Sequence, residues 1–303
     1  MNTIYYDSPV SDEKRREELY QGQLFVFSPT DTTLAFIAFA RQLIEEAFAG
    51  IDPVRAQYQM PPEEYAAILS RLKPAFIHHP QSKAFLQAIL KERGCDPRLT
   101  YFDVPRMRSS TSDGYLTSGI AYAFHPHRDT WYSAPMCQIN WWLPVYEVES
   151  GNVMAVHPHY FNRAVRNGSR DYNYQQWVAT SRKEAARHIK KDTRKQPHPE
   201  EPLELDPQAR VVTPPGGLLV FSAAHLHSSV PNNSGKTRFS IDFRTVHLED
   251  ARNGKGARNW DSECTGTTMG DYLQVETLEH LPDELVDAYR QGHPQKMEPG
   301  IPG

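Results

Sequence analysis

The chain contains the run Phe124-His125-Pro126-His127-Arg128-Asp129. Side chains two positions apart on an extended segment point the same way. His127 and Asp129 can therefore reach one metal ion together, from the end of a strand read over Ile120–Phe124. One imidazole and one carboxylate make two of the three donors of a facial site that leaves other positions on a first-row metal open. His125 is an alternative donor, but only His127 stands two residues from the aspartate. A lone pair of this kind arises often by chance, so its weight depends on a second cluster.

That cluster lies about a hundred residues on. His227 ends one strand, Leu218–Ala224, and Arg238 opens the next, eleven positions later. Ser240 follows on the same strand face as Arg238. A guanidinium suits bidentate capture of a carboxylate, and a neighbouring hydroxyl can add a further hydrogen bond. His225 shares strand parity with His227 and competes with it as third donor.

On these residues the chain resembles the iron- and 2-oxoglutarate-dependent oxygenases, specifically the phytanoyl-CoA dioxygenase-like branch. The matching positions are His127, Asp129 and His227, then Arg238 and Ser240, with Asn232 where that branch carries an asparagine. Trp141-Trp142-Leu143-Pro144 through Ser150-Gly151-Asn152-Val153 matches its connecting strands. The resemblance spans about residues 100–250. It implies an α+β fold whose core is a double-stranded β-helix, a cupin-like jelly-roll. It also implies Fe(II) on His127, Asp129 and His227, and 2-oxoglutarate with its far carboxylate on Arg238 and Ser240. With O2 as oxidant, an unactivated C–H bond would be oxidised by hydroxylation, desaturation or ring closure, with release of succinate and CO2. The presence of Asp129 argues against halogenation. The chain departs from the branch at Val156-His157-Pro158-His159, where Pro-Gly-Ser-His is usual, and in a long insertion after it.

Other residues admit two readings. His225, Arg244, Trp131 and Arg108 are candidate substrate contacts, and Arg106 joins them as a possible anion ligand. Each could equally be packing or a salt-bridged surface charge. Trp131, Trp141 and Trp142 could line a pocket, although aromatic residues in strands are more often core. His157 and His159 could bind zinc or close a hydrogen-bonded turn. The substrate is expected to be a small metabolite, carboxylate-bearing. Rival readings are a cupin-like metalloenzyme that does not use 2-oxoglutarate (an isomerase or a substrate-only dioxygenase), a non-catalytic binding jelly-roll, and a zinc hydrolase. The first two would have no use for Arg238 with Ser240, or for the three metal donors together.

Elements must position these groups. Residues 1–23 read as a polar, partly ordered arm, and Gly22–Phe27 as a first strand. Apolar residues at helical spacing mark helices over 31–50, from Pro61 through Leu72, and over 82–93 with Gly94 as C-cap. Strand language follows over 101–107, 115–124, 136–148, 152–157, 210–213, 218–222 and 237–247. This predicts one oxygenase domain over residues 1–303. Its N-terminal region, residues 1–98, is helical; the core covers 99–250, interrupted by an insertion at 161–208; an extension covers 251–303, with a frayed tail after Gln291. The insertion carries a basic helix (Arg182, Lys183, Arg187, Lys190, Lys191, Arg194, Lys195), read as a solvated face or as a lid.

Composition is consistent with this. Charged residues make up 23% and the net charge is −4, which favours neither nucleic acid nor an anionic membrane surface. Three scattered cysteines without a CxxC pair predict neither disulfides nor structural zinc, and a reducing, cytoplasmic setting. No signal-like N-terminus or membrane-length apolar run is expected.

Overall fold

The computed structural model describes residues 3–117, 125–180, 194 and 196–292. In chain order the elements are β1 (Ile4–Tyr6), α1 (Asp12–Tyr20), β2 (Leu24–Phe27), α2 (Asp31–Ala47), α3 (Pro62–His78), α4 (Pro80–Glu92), β3 (Thr100–Phe102), β4 (Arg106–Ser110) and β5 (Ile139–Pro144). There follow β6 (Met154–Val156), α5 (Tyr174–Thr180), β7 (Ala209–Arg210), β8 (Leu218–Ser222), β9 (His227–Ser229), β10 (Arg238–His247), α6 (Leu248–Arg252), β11 (Leu273–Gln274) and α7 (Asp283–Gln291). The expected strand over 120–124, the basic portion of the insertion helix apart from Arg194, and the tail from residue 293 lie outside the described residues.

Two sheets organise the fold. The larger runs β1-β2-β8-β5-β10-β3-β11, with β4 also paired to β10; the smaller runs β7-β6-β9. β10 is the spine of the larger sheet, antiparallel to β3, β4 and β5. Its alternation sets the two faces of the sheet. Phe239, Ile241 and Phe243 pack with Trp141, Leu143, Leu218 and Val220 against Phe36, Ile44, Leu69 and Phe76 of the helices. Arg238, Ser240, Asp242 and Arg244 take the opposite face. There Trp142, Leu219 and Phe221 of the larger sheet meet Met154, Ala155 and Val156 of the smaller. The helices thus cover one side of the larger sheet, and the smaller sheet closes over the other.

The helices begin where capping chemistry allows. Thr30 accepts from the Thr33 backbone N–H, and the Thr33 side chain accepts from the Thr30 N–H in return. Arg93 closes α4, and Gly94 beyond it takes φ +75°. The expected single strand over 101–107 is broken at Asp103-Val104-Pro105 into β3 and β4, because a proline cannot donate to a ladder.

The N-terminal arm differs most from expectation. Two of its charges are not solvated: Arg15 and Arg16 are buried together with Leu19. Arg16 Nε donates to Asp250 Oδ2 at 2.9 Å, and the Tyr20 hydroxyl donates to the same oxygen at 2.9 Å. A charged run reads as polar surface unless its partners, here more than two hundred residues away, are known. Asp250→Ala should cost Arg16 Nε its acceptor and leave the Tyr20 hydroxyl only its 3.3 Å bond to the Cys137 carbonyl, with Arg16 Nη1 still on Asp12. We expect a loss of about 3–5 kcal/mol in urea unfolding; a change within experimental error would show that the arm does not stabilise the fold.

Candidate active site

A cavity of 340 Å3 lies between the sheets, lined by His127, Asp129, His227, Arg238, Arg244 and Trp142 among others. His127 and His227 form an isolated antiparallel bridge, with N–H···O bonds of 3.0 and 2.9 Å in the two directions. The pairing sets their ring centroids 4.3 Å apart. Asp129 is brought in by its own backbone N–H, which donates to the Ala223 carbonyl just beyond β8 at 3.1 Å. Asp129 Oδ1 then stands 3.5 Å from His127 Nε2 and 3.8 Å from His227 Nε2. One donor atom from each of the three residues lies within 4.8 Å of the others.

Backbone carbonyls set the chemistry of these donors. His127 Nδ1 lies 2.8 Å from the His125 carbonyl and His227 Nδ1 lies 3.0 Å from the His225 carbonyl. A carbonyl can only accept, so each Nδ1 carries the proton and each Nε2 lone pair faces the cavity. Burial, with His127 beside it, lowers the His227 pKa to about 4 against the opposing pull of Asp129, so this imidazole is neutral near neutral pH. Burial alone would raise the Asp129 carboxyl. The neighbouring His127 and the charge of Arg244 outweigh it and hold Asp129 well below the usual carboxylate range. Its second oxygen accepts from Asn140 Nδ2 at 2.9 Å and Gln138 Nε2 at 3.2 Å. The Tyr272 hydroxyl fixes Gln138 in turn, at 2.7 Å. Two neutral nitrogens and one carboxylate oxygen converging on one point suit a divalent first-row metal.

Farther along β10, Arg238 is 7% exposed. It donates to the Asn152 carbonyl at 3.0 Å and stands 6.0 Å from the Trp142 ring. Its Nε, the Ser240 hydroxyl and the Ser109 hydroxyl are buried with no hydrogen-bond partner among the described residues. Burial, with Arg108 adding and Asp242 opposing, pushes the Arg238 guanidinium down to about 10, so it remains charged. A buried cation and two hydroxyls with spare bonding capacity are costly unless an acceptor joins them. A carboxylate meets that requirement.

The remaining expected residues divide. Arg108 lines the cavity and grips Asp242, with Nε to Oδ1 at 2.5 Å and Nη2 to Oδ2 at 3.2 Å. Arg244 lines it as well, bound to Asp103 at 2.9 Å and 3.6 Å from Asp129 Oδ2. Trp131 and His225 are not cavity residues. Trp131 is wholly buried beside Tyr160, Val165 and Leu226, its indole N–H on Asp261 at 2.8 Å. His225 packs on Phe161, ring centroids 4.5 Å apart, and contributes its carbonyl rather than its ring. His125 bonds the Pro197 carbonyl at 2.9 Å. His157 is held by Leu205 O and Ser228 Oγ, and His159 by Glu204 O, so the second histidine pair is a hydrogen-bonded turn.

The sequence reading overlooked Arg128, which lies between two donors and therefore points away from them. At 2% exposure it donates to Asp261 at 3.0 Å, to the Tyr160 and Arg163 carbonyls at 2.7 Å each, and to the Ala224 carbonyl. Strand alternation signals its direction, but no local signal announces its distant acceptors. Asn140 and Gln138 were missed too, because both sit in a run that reads simply as strand.

No protein-family model matches the chain, and no curated protein shows significant similarity to it. Solved structures do resemble it in shape. One is EvdO2 from Micromonospora carbonacea var. aurantiaca, with 14% identity, 78% of this chain and 91% of that one covered, and a TM-score of 0.45. The epimerase SnoN, in complex with Fe3+, alpha ketoglutarate and nogalamycin RO, matches with 14% identity over 78% of this chain and 85% of its own, TM-score 0.40. AviO1 from Streptomyces viridochromogenes Tue57 matches with 13% identity over 79% and 96%, TM-score 0.38. Likeness at this level leaves the activity to be argued from the site.

Arg128→Met should remove the clamp on the turn that bears His127 and Asp129 and leave the buried Asp261 carboxylate without its cation, held only by the Trp131 and Val165 N–H groups. We expect a loss of about 3–5 kcal/mol in unfolding free energy and weaker divalent-metal binding by titration. Wild-type values for both would exclude the clamp.

Proposed function

We propose that the chain is a non-haem iron, 2-oxoglutarate-dependent oxygenase acting on a small, carboxylate-bearing metabolite. Its two sheets would be the walls of a double-stranded β-helix, in one oxygenase domain over residues 1–303. The observation that carries the reading is the coincidence, in one cavity, of a convergent His–Asp–His donor set with a buried arginine short of an acceptor. His127, Asp129 and His227 would hold Fe(II) on one face. Arg238 would clamp the far carboxylate of 2-oxoglutarate, helped by Ser240 on the same strand face. Iron with 2-oxoglutarate and O2 supplies, when bound, the oxidation of an unactivated C–H bond, with succinate and CO2 as co-products; hydroxylation is the default and desaturation or ring closure the variants.

The chain's own residues do the positioning. The His125 and His225 carbonyls hold the Nδ1 protons of the two imidazoles and turn their Nε2 atoms to the cavity. Asn140, Gln138 and Arg244 occupy the second oxygen of Asp129, leaving the first for the metal. Trp142, Phe221, Phe243 and Met154 give the cavity apolar walls that exclude water. A metalloenzyme indifferent to 2-oxoglutarate would have no use for the buried, under-bonded Arg238.

Adding Fe(II) and then 2-oxoglutarate without oxygen should produce a weak visible charge-transfer band. His227→Ala should abolish it. Arg238→Ala should raise the 2-oxoglutarate needed about 30-fold or more, the effect of truncating one partner of a buried charge pair, with iron binding intact. An unchanged requirement would remove Arg238 from the co-substrate site, and no band in folded, iron-loaded wild type would overturn the proposal. Asp129→Ala should abolish 2-oxoglutarate turnover, measured as succinate release; full turnover would refute the donor set.

A further inference from the structure

The cavity holds more positive charge than the proposed metal and co-substrate consume. Among the described residues it is lined by Lys73, Arg106, Arg108, Arg194, Arg238 and Arg244, against Asp129 and Asp242. Asp103, just behind the wall, adds a third carboxylate but is shared by two arginines, Arg106 and Arg244. The four arginines of the β4–β10 wall, Arg106, Arg108, Arg238 and Arg244, outnumber these three carboxylates by one positive charge. One Fe(II) and one doubly charged 2-oxoglutarate cancel each other, so the excess persists in the loaded site whichever arginine takes the co-substrate. Excess charge of one sign in a low-dielectric cleft attracts a ligand of the other.

A second, independent feature lies on the metal side. Rings follow one another outward from the donor set. His127 meets Tyr132 edge-on at 5.5 Å, Tyr132 meets Tyr172 at 5.3 Å, and Tyr172 meets Trp177 at 5.9 Å. All four line the cavity, and Tyr172 and Trp177 come from the long insertion. Arg194 continues the series, its guanidinium 5.0 Å from the Trp177 ring. Tyr132 packs on its other side against the Trp131 cluster and Tyr172 is buried, and both line the space next to the metal donors. A wall of ring faces and edges is suited to a flat apolar body.

From these two features, and resting on the reading of the site above, we propose that the substrate is a small ring-bearing acid. Its ring lies against Tyr132, Tyr172 and Trp177, and its acid group turns toward Arg106 and Arg244. The ring wall starts at a metal donor, which puts a carbon on or beside the ring within reach of the oxidising centre. Arg106 stands opposite Asp242 in the β4–β10 register, and Arg244 two residues further on, so the acid group lies at the floor and the ring at the lip. Tyr172, Trp177 and Arg106 are then specificity-determining residues.

The test uses anaerobic, Fe(II)- and 2-oxoglutarate-loaded protein with three probes: phenylacetate, the neutral phenylacetamide, and acetate. Calorimetry gives affinities, and a shift of the visible band reports arrival beside the metal. Phenylacetate should bind about tenfold or more tightly than either other probe and alone shift the band. Trp177→Ala should bring phenylacetate down towards acetate. Arg106→Gln should abolish the preference over the amide and Arg106→Lys should keep most of it, with 2-oxoglutarate affinity near wild type in each. If Arg106→Gln fails to fold, by circular dichroism, the wild-type preferences and Arg106→Lys decide. Equal binding of amide or acetate, or preferences untouched by both Trp177→Ala and Arg106→Gln, would overturn the inference while leaving the oxygenase reading in place. Selective phenylacetate binding with no 2-oxoglutarate band would overturn the oxygenase reading and keep the acid site.

Discussion

The reciprocal backbone pairing of His127 with His227 is the constraint on which the rest of the site depends. Two N–H···O bonds of about 3 Å fix the separation and mutual tilt of two imidazoles that lie a hundred residues apart in the chain. Each ring is then turned by the carbonyl two residues before it. Rotation about the side-chain bonds is therefore spent before any ligand arrives, and what remains for a metal is displacement of water and repulsion among the donors. Metal sites built this way gain affinity from preorganisation rather than from extra donors.

The second organising principle is charge compensation without water. Arg128, Arg238 and Arg244 are buried or partly buried in and beside the cavity, and each is handled differently. Arg128 is saturated: Asp261 and three carbonyls take its donors. Arg244 is divided between Asp103 and Asp129, so it supports the donor set and keeps its carboxylate ionised. Arg238 has one carbonyl and a spare Nε. The structural arginine is complete, the supporting one is shared, and the one left short is the one to which the proposed function gives a ligand. The same comparison separates His157, bonded at both ring nitrogens, from His127 and His227, whose second nitrogens face the cavity.

Strand periodicity made much of this legible. Leu218–Ser222 matches its expected bounds and β10 begins one residue late, because the first is a continuous apolar run opening after Gly216-Gly217 and the second an alternating one opening after the Asn233-Ser234-Gly235 turn. The parity of Arg238, Ser240, Asp242 and Arg244 could be read directly from the chain for the same reason. What was not legible depends on distant partners. Arg15 and Arg16 read as solvated charge because Asp250 and Cys95 are far away in sequence. Trp131 read as a pocket residue because nothing near it announces Asp261. Asn140 and Gln138 carry no motif; their role exists only because β5 passes beside Asp129.

The insertion serves both the donor set and the cavity wall. Its base is structural: the Tyr160 and Arg163 carbonyls and the Val165 N–H converge on Arg128 and Asp261, and so on the turn carrying two of the donors. Its middle, Tyr172 to Trp177, bears rings that face the cavity. A segment anchored so close to the donors cannot vary freely at its base without loosening them, but it can vary at its lip without touching them. Length and sequence can therefore change in the portion that faces the cavity while the portion that holds the His127–Asp129 turn stays fixed. On the proposed reading, a long insertion after β6 would thus alter which molecule is accepted more readily than what is done to it.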